Sequence, residues 1–276
     1  MEAAAWLPRT YLFVPGTRVE RFGKALASGA DAVILDLEDA VASEAKGEAR
    51  ATVCAWIEAA APADRSRIVV RLNDAGSEWF ADDLLALGSA GVVDVMLPKA
   101  ETREQVAAVA AALAGVRVLP LIESARGLAN VDNVATAPQV SRLAFGTLDF
   151  ALDLEMDISE DDSGLNPAAS RIAIASRIAN LPTPVAGVTL QIDDEARLRR
   201  DLAAARAHGF GAKLCIHPRQ VAPIHAALRP SAAALEWAQR VLAAEAASPG
   251  AAKLDGRMID RPVVLQAHRT LALGSR

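Results

Sequence analysis

The chain has 276 residues, room for one large α/β domain or two ordinary ones. A formal net charge of −5 excludes a general electrostatic footprint for nucleic acid or an anionic membrane, so an anionic substrate must meet a local basic patch. Aromatic residues make up only 4% of a chain that is 52% hydrophobic, so Ala, Val, Leu and Ile must build the core.

No run of about 18 apolar residues offers a membrane span. The N-terminus, MEAAAWLPRT, lacks the basic region and apolar stretch of a signal peptide. Cys54 and Cys215 have neither metal-like spacing nor partners for a disulfide framework. The expectation is a cytoplasmic protein with free thiols.

Eight short apolar runs predict strands: YLFVP from Tyr11, AVILDLE from Ala32, IVVRL from Ile68, VDVMLP from Val93, VRVLPLI from Val116, RLAFGTL from Arg142, VAGVT from Val185 and KLCIH from Lys213. Most lack alternation, as expected of strands buried on both faces. Helical patterns fill the gaps at 19–28, 45–60, 79–89, 103–114, 166–179 and 193–208, and a further helix is expected between the fifth and sixth strands. Eightfold βα alternation predicts an α/β protein of the TIM (β/α)8 barrel class over residues 1–230. Neither a G-x-G-x-x-G turn nor a G-x-x-x-x-G-K-[ST] loop is present, which argues against a dinucleotide fold or a P-loop. After the eighth strand, helices are expected at 222–228 and 231–247, followed by the break SPGAAKLDG. The tail at 257–273 has too little apolar surface to fold alone. Residues 231–276 therefore read as a short C-terminal helical extension, packed on the barrel or on a neighbouring subunit.

In a parallel barrel the C-terminal strand ends share one mouth. Read in order, these ends carry Pro15-Gly16, then Asp36, Glu38 and Asp39, then Arg71, Lys99, Glu123, Asp149, Thr189 and His217. Glu123 and Asp149 end consecutive predicted strands. Two carboxylates there repel unless a cation lies between them. Mg2+ takes one or two protein carboxylates and keeps positions open for substrate oxygens. The alternative is that each acid caps the helix after its strand. Arg71 is the candidate clamp for a substrate carboxylate, because guanidinium offers a planar fork. It could also pair with Asp36 or Glu38, which would orient it. His217 reads equally as a fixed core histidine or a catalytic one.

The first βα turn, PGTRVERFGKALASG, places Thr17 and Glu20 at capping-box spacing. Arg18, Arg21 and Lys24 bring three cations to the start of that helix, against its dipole. Such a cluster fits the phosphates of a nucleotide-like tail, or is simply a solvated basic face. The acidic stretch ALDLEMDISEDDSGLNP lacks the Gly and terminal Glu of an EF-hand and reads as a solvated loop.

Together YLFVPGTR, SGADAVILDLEDAV, VRLN, LPKAE, LIESARG, LAFGTLDFALDL, KLCIHPRQV and DGRMIDRPV resemble the HpcH/HpaI aldolase and citrate lyase superfamily. The likeness is to its citrate lyase beta-subunit-like branch, over about residues 11–272. The resemblance implies a TIM barrel that uses Mg2+ to break or form a carbon–carbon bond beside a carbonyl. It puts Glu123 and Asp149 on the metal ligands and Arg71 on the substrate carboxylate. It puts the amides around Gly146 and Thr147 near a bound keto acid, and Arg18, Arg21 and Lys24 at the phosphates of coenzyme A. Asp260 matches an acid that malyl-CoA lyase-like relatives supply from an adjacent subunit. Relatives that cleave free hydroxy-keto acids have a catalytic His in the second βα segment. Here that segment is Asp36-Leu37-Glu38-Asp39-Ala40, which favours an acyl-CoA substrate.

The expectation is a Mg2+-dependent lyase on a citryl-CoA or malyl-CoA type thioester, releasing a 2-oxo acid and an acyl-CoA. Arg71, Asp36 and Asp260 form its expected catalytic set, and Arg71, Lys99, Gly146 and Thr147 its substrate contacts. The protein is expected to be a homo-oligomer, a trimer or hexamer. A thioester hydrolase on the same site, and a non-catalytic or carrier-dependent citrate lyase subunit, are the alternatives.

Overall fold

The computed structural model describes residues 7–248, 250 and 253–274. The chain divides into two compact units, residues 1–224 and 225–276. The boundary lies six residues before the expected one.

In the first unit, β1 (Thr10–Pro15), β2 (Ala32–Asp36), β3 (Ile68–Arg71), β4 (Asp94–Leu97), β5 (Arg117–Ile122), β6 (Ala144–Phe145), β7 (Val185–Ala186) and β8 (Ala212–Cys215) form a closed barrel. All are parallel to their neighbours, and β8 closes on β1 with Tyr11 opposite Leu214. The expected (β/α)8 fold is present. Its lumen is packed by Tyr11, Ile34, Val69, Met96, Leu119, Leu121, Ala144, Val185 and Leu214, so the barrel is a core and not a pore. Around it run α1 (Val19–Ala27), α2 (Lys46–Ala59), α3 (Pro62–Arg65), α4 (Phe80–Ala90), α5 (Arg103–Ala112), α6 (Ala125–Ala129), α7 (Val131–Ala135), α8 (Thr147–Asp153), α9 (Asn166–Ile178) and α10 (Glu195–Ala207). A last helix, α11 (Val221–Leu228), spans the unit boundary.

Local departures from the sequence reading matter for the site. The predicted strand RLAFGTL stops at Phe145: the Gly146 amide makes the last ladder bond, to Ile122 O (2.9 Å), and helix α8 begins at once. Asp149 therefore lies in the first turn of a helix and does not end a strand. The helix expected before β6 is broken at Asn130 into α6 and α7. The Thr17–Glu20 capping box does not form. Arg18 takes the N-cap position without a side-chain cap, and Glu20 lies within 4 Å of Arg18 and Arg21 instead. Lys24 falls in the last turn of α1, where it complements the helix dipole.

The second unit pairs α12 (Ala232–Ala247) with α13 (Arg261–Gly274). A two-strand hairpin joins them, β9 (Lys253–Leu254) with β10 (Arg257–Met258), turning through Asp255 and Gly256 at positive φ. Ala238, Val241, Ile259 and Ala267 form its core, with Trp237 and Leu242 packed against them. The tail thus finds its apolar partner in α12.

Among the described residues no helix is long and apolar enough to cross a membrane. Both cysteines are free thiols, and burial pushes that of Cys215 up to about 12.

Candidate active site

Asp36 and Arg71 are register partners at the ends of β2 and β3. Asp36 Oδ1 accepts from Arg71 Nε and Oδ2 from Nη2, each at 2.6 Å. The same carboxylate accepts the amides of Glu38 (2.9 Å) and Ala40 (3.1 Å). Each oxygen of Asp36 thus holds two donors, and the residue is 1% exposed. The expected fork of Arg71 is present, but its Nε–Nη2 edge is committed to Asp36 and not open to a substrate. Nη1 remains, 2.9 Å from Glu38 Oε2 and 3.3 Å from Asp39 Oδ2. The guanidinium also stacks over Phe13, 4.9 Å from the ring centroid. Burial disfavours its charge, but Asp36, then Glu38 and Asp39, outweigh that and raise its pKa above the free value.

Glu38 is buried between two cations. Its Oε1 accepts from Lys99 Nζ at 2.9 Å, while Oε2 meets Arg71 without hydrogen-bond alignment. Burial raises the Glu38 pKa, and Arg71 and Lys99 partly counter it. Lys99 has φ 44°, a strained conformation for a non-glycine residue. That turn aims its amide at Glu123 Oε1, 2.7 Å away, while its ammonium reaches Glu38.

Glu123 follows β5 directly and is 3% exposed. Gly146 makes room for it. A Cβ there would come within 2.6 Å of Glu123 Cβ, and closer still to Oε2. Among the described residues no hydrogen bond reaches Oε2. Burial first, then the charge of Glu38, pushes the Glu123 carboxyl up to about 8; the Lys99 amide opposes this and Asp149 adds to it. No group of three or more His, Cys, Asp or Glu able to hold a metal occurs among the described residues. A buried carboxylate with a raised pKa, a second acid near it and a notch shaped by glycine fit a hard dication that keeps water or substrate oxygens as its other ligands.

Other expected residues are placed less simply. The Gly146 amide is occupied by Ile122 O and is not free for a keto acid, which leaves Thr147 of that pair. Arg18, Arg21 and Lys24 are exposed on α1. Thr189 is buried and donates to Asp201 at 2.5 Å. His217 accepts from the Arg219 amide (3.2 Å) at the start of a single 3-10 turn. Asp260, in the second unit, is exposed and accepts from the Val263 amide (3.2 Å) at the start of α13.

Sequence reasoning missed Lys46 and Asp83. Lys46 Nζ donates to the carbonyls of Leu37 (2.8 Å) and Glu38 (2.7 Å), fixing the loop that carries Glu38. Asp83 takes the Arg50 guanidinium and both the backbone and side-chain amides of Asn73, just beyond Arg71. A signal existed for both: each is a charge on the buried stripe of its helix, with Ala49, Val53 and Ile57 in α2 and with Leu87 and Ala90 in α4.

The model of the family described as HpcH/HpaI aldolase/citrate lyase matches residues 9–218. Over 267 residues the chain is 38% identical to a citrate lyase subunit beta-like protein of Mycobacterium tuberculosis, covering 95% of this chain and 93% of that one. It is 34% identical over 268 residues to a (3S)-malyl-CoA thioesterase of Cereibacter sphaeroides, covering 96% and 93%. Among solved structures, CitE of Mycobacterium tuberculosis in complex with magnesium, acetoacetate and coenzyme A superposes with a TM-score of 0.87 at 36% identity, over 99% of each chain.

Proposed function

The chain belongs to the HpcH/HpaI aldolase/citrate lyase family, and from that premise and the geometry of the barrel mouth we propose that it is a Mg2+-dependent carbon–carbon lyase. Its substrate is a hydroxy-di- or tricarboxylyl-CoA thioester of the citryl-CoA or malyl-CoA type, and its products are a 2-oxo acid and an acyl-CoA. The observation that carries the reading is Glu123, a carboxylate seated against Gly146 with its proton affinity raised by burial and by neighbouring acids. Glu123 and Asp149 would hold the ion. Bound there, Mg2+ supplies Lewis-acid stabilisation of the charge that develops on the reacting oxygen. The magnesium and coenzyme A in the CitE complex support the same pairing here.

The chain's own residues divide the remaining work. Asp36 is a positioning residue that sets the plane of Arg71, whose Nη1 meets the substrate carboxylate. Lys99 offers its ammonium to the hydroxy-acid end, and Glu38 keeps both cations aimed at the mouth. Thr147 lies beside the keto-acid position. Arg18, Arg21 and Lys24 take the phosphates of coenzyme A. As the carbon–carbon bond breaks, the substrate hydroxyl loses its proton to solvent and becomes the 2-oxo group, while Asp260, supplied by a neighbouring subunit of a homo-oligomer, a trimer or hexamer, delivers one proton to the acyl-CoA enolate carbon.

A second reading, thioester hydrolysis on the same site, is supported by the 34% identity to a malyl-CoA thioesterase. Incubation of the pure protein with Mg2+ and citryl-CoA or malyl-CoA, with products identified by mass, separates the two. A lyase gives a 2-oxo acid and a shorter acyl-CoA; a hydrolase gives the intact hydroxy acid and free CoA. Turnover of neither thioester would overturn both readings.

A further inference from the structure

Behind the barrel wall lies a second feature that the lyase chemistry does not use. On β8, Ala212 and Leu214 face the lumen, so Lys213 between them points outward, toward the helices. It is 2% exposed, in a layer normally filled by apolar side chains. Its Nζ donates to one acceptor among the described residues, Gly187 O at 2.7 Å, although an ammonium carries three donors. No carboxylate among the described residues pairs with it. Asp201, the nearest acid in electrostatic effect, already binds Thr189 and Arg197.

Lys213 lines a cavity of about 540 Å³ between the outer side of β6–β8 and helices α9 and α10. The cavity opens to solvent past the exposed Leu148, Ser159 and Gln191 and reaches inward to Lys213, where small residues, Ala169, Ala186 and Ala205, meet in place of larger apolar side chains. Phe145, Leu165 and Phe210 add apolar wall. The volume lies in the range of small-molecule sites, mostly apolar with a few placed polar groups.

We propose that this cavity binds a small amphipathic monocarboxylate, its carboxylate on the free N–H groups of Lys213 and its short apolar body against Leu165, Ala169 and Phe210. Of the two cations lining the cavity, Arg197 is paired with Asp162 and Asp201, which leaves the Lys213 ammonium, and with Asp157 also in the lining this suits a monoanion and disfavours a phosphate dianion. Burial lowers the Lys213 pKa to about 8, so the group remains mostly protonated at neutral pH, and a carboxylate would complete its charge and donor balance. Thr147 and Leu148, in the first turn of α8, also line the cavity. Thr147 fits against Gly187, where a Cβ would come within 2.8 Å of its Cγ2. The ligand would thus bear on the helix turn that carries Asp149.

The site is distinct from the metal site, so the test omits metal. The probe is 13C-labelled butyrate, titrated into the full-length protein in chelator at neutral pH and followed by NMR. The expected result is saturable binding that weakens at least about tenfold in Lys213→Met, the loss of a charge-assisted hydrogen bond. Ala169→Leu, which fills the cavity and leaves the charge, should weaken it to a similar degree and keeps the test open if Lys213→Met misfolds. Glu123→Gln should bind butyrate as wild type does. Absence of saturable binding to wild type, or unchanged affinity in Ala169→Leu, would overturn the proposal. Loss of binding in Glu123→Gln alone would also do so, by moving the butyrate to the barrel mouth.

Discussion

Asp36 grips Arg71 across adjacent strands through two 2.6 Å hydrogen bonds, so the guanidinium meets the barrel mouth with only one nitrogen uncommitted to that pair. Removing Asp36 strands a buried cation. Asp36→Ala should cost about 3–5 kcal/mol in urea denaturation, the range for breaking one side of a buried ion pair. A cost below about 1 kcal/mol would mean that Glu38 and Asp39 hold Arg71 by themselves. Arg71→Lys keeps the charge but cannot hold Asp36 with two donors and still present a third nitrogen to the substrate, and should lower kcat/KM by roughly 10- to 150-fold.

Glu123 makes stability depend on pH when no metal is bound. Its folded pKa, about 8, lies above the unfolded value near 4.5. The unfolded chain therefore ionises first, and the contribution of Glu123, complete below pH about 4.5, is lost as pH rises toward 8. In chelator the stability difference between wild type and Glu123→Gln should change by a few kcal/mol, on the order of 1.36 kcal/mol per pH unit, against wild type across that window. Added Mg2+ should restore wild type at pH 8 more than at pH 5, and Glu123→Gln little at either. Melting curves at the two pH values check this. A pH-independent difference would mean that the buried carboxyl titrates normally.

Gly146 should tolerate no side chain. A Cβ would press on Glu123 Cβ at 2.6 Å and on the carboxylate itself. The strain of overpacking is about 1–3 kcal/mol, so Gly146→Ala should weaken Mg2+ binding by roughly 5- to 150-fold in calorimetry while the barrel stays folded. Unchanged affinity would remove Glu123 from the metal's ligands.

Arg18, Arg21 and Lys24 are exposed on α1. Replacing all three with Gln should weaken binding of a CoA thioester and leave the free 2-oxo acid near normal. Thioester affinity of the parent protein should fall as salt rises, as for other exposed ionic contacts. Equal losses for both ligands would move the phosphate site elsewhere.

Asp260→Asn should nearly abolish turnover while Mg2+ and 2-oxo acid binding survive. Mixed with inactive Glu123→Gln after subunit exchange, it should regain part of the activity, because some sites receive both intact halves. A mixture that stays inactive after proven exchange would place Asp260 in its own barrel's chemistry or in none.

The eight strands, most of the long helices and the ring of charges at the mouth were legible in the chain itself. Apolar runs separated by amphipathic ones leave a parallel barrel as the arrangement that buries both faces of every strand. The order of strand ends then brings Asp36, Arg71, Lys99 and Glu123 to one face, whatever their side chains do next. The direction of each side chain was not legible. Asp36 was expected in the catalytic set, but four donors converge on it and make it a positioning residue; the Arg71 fork could have faced a substrate, but the nearer anion took it. Asp149 reads as a strand end in sequence, yet Gly146 bends the chain into α8 before it. Lys46, Asp83 and Lys213 break apolar patterns, and only packing revealed what each charge meets. Periodicity records which face of an element is buried, whereas pairing among buried charges depends on ångström-scale distances set by elements far apart in the chain. Those distances arise only when the barrel closes.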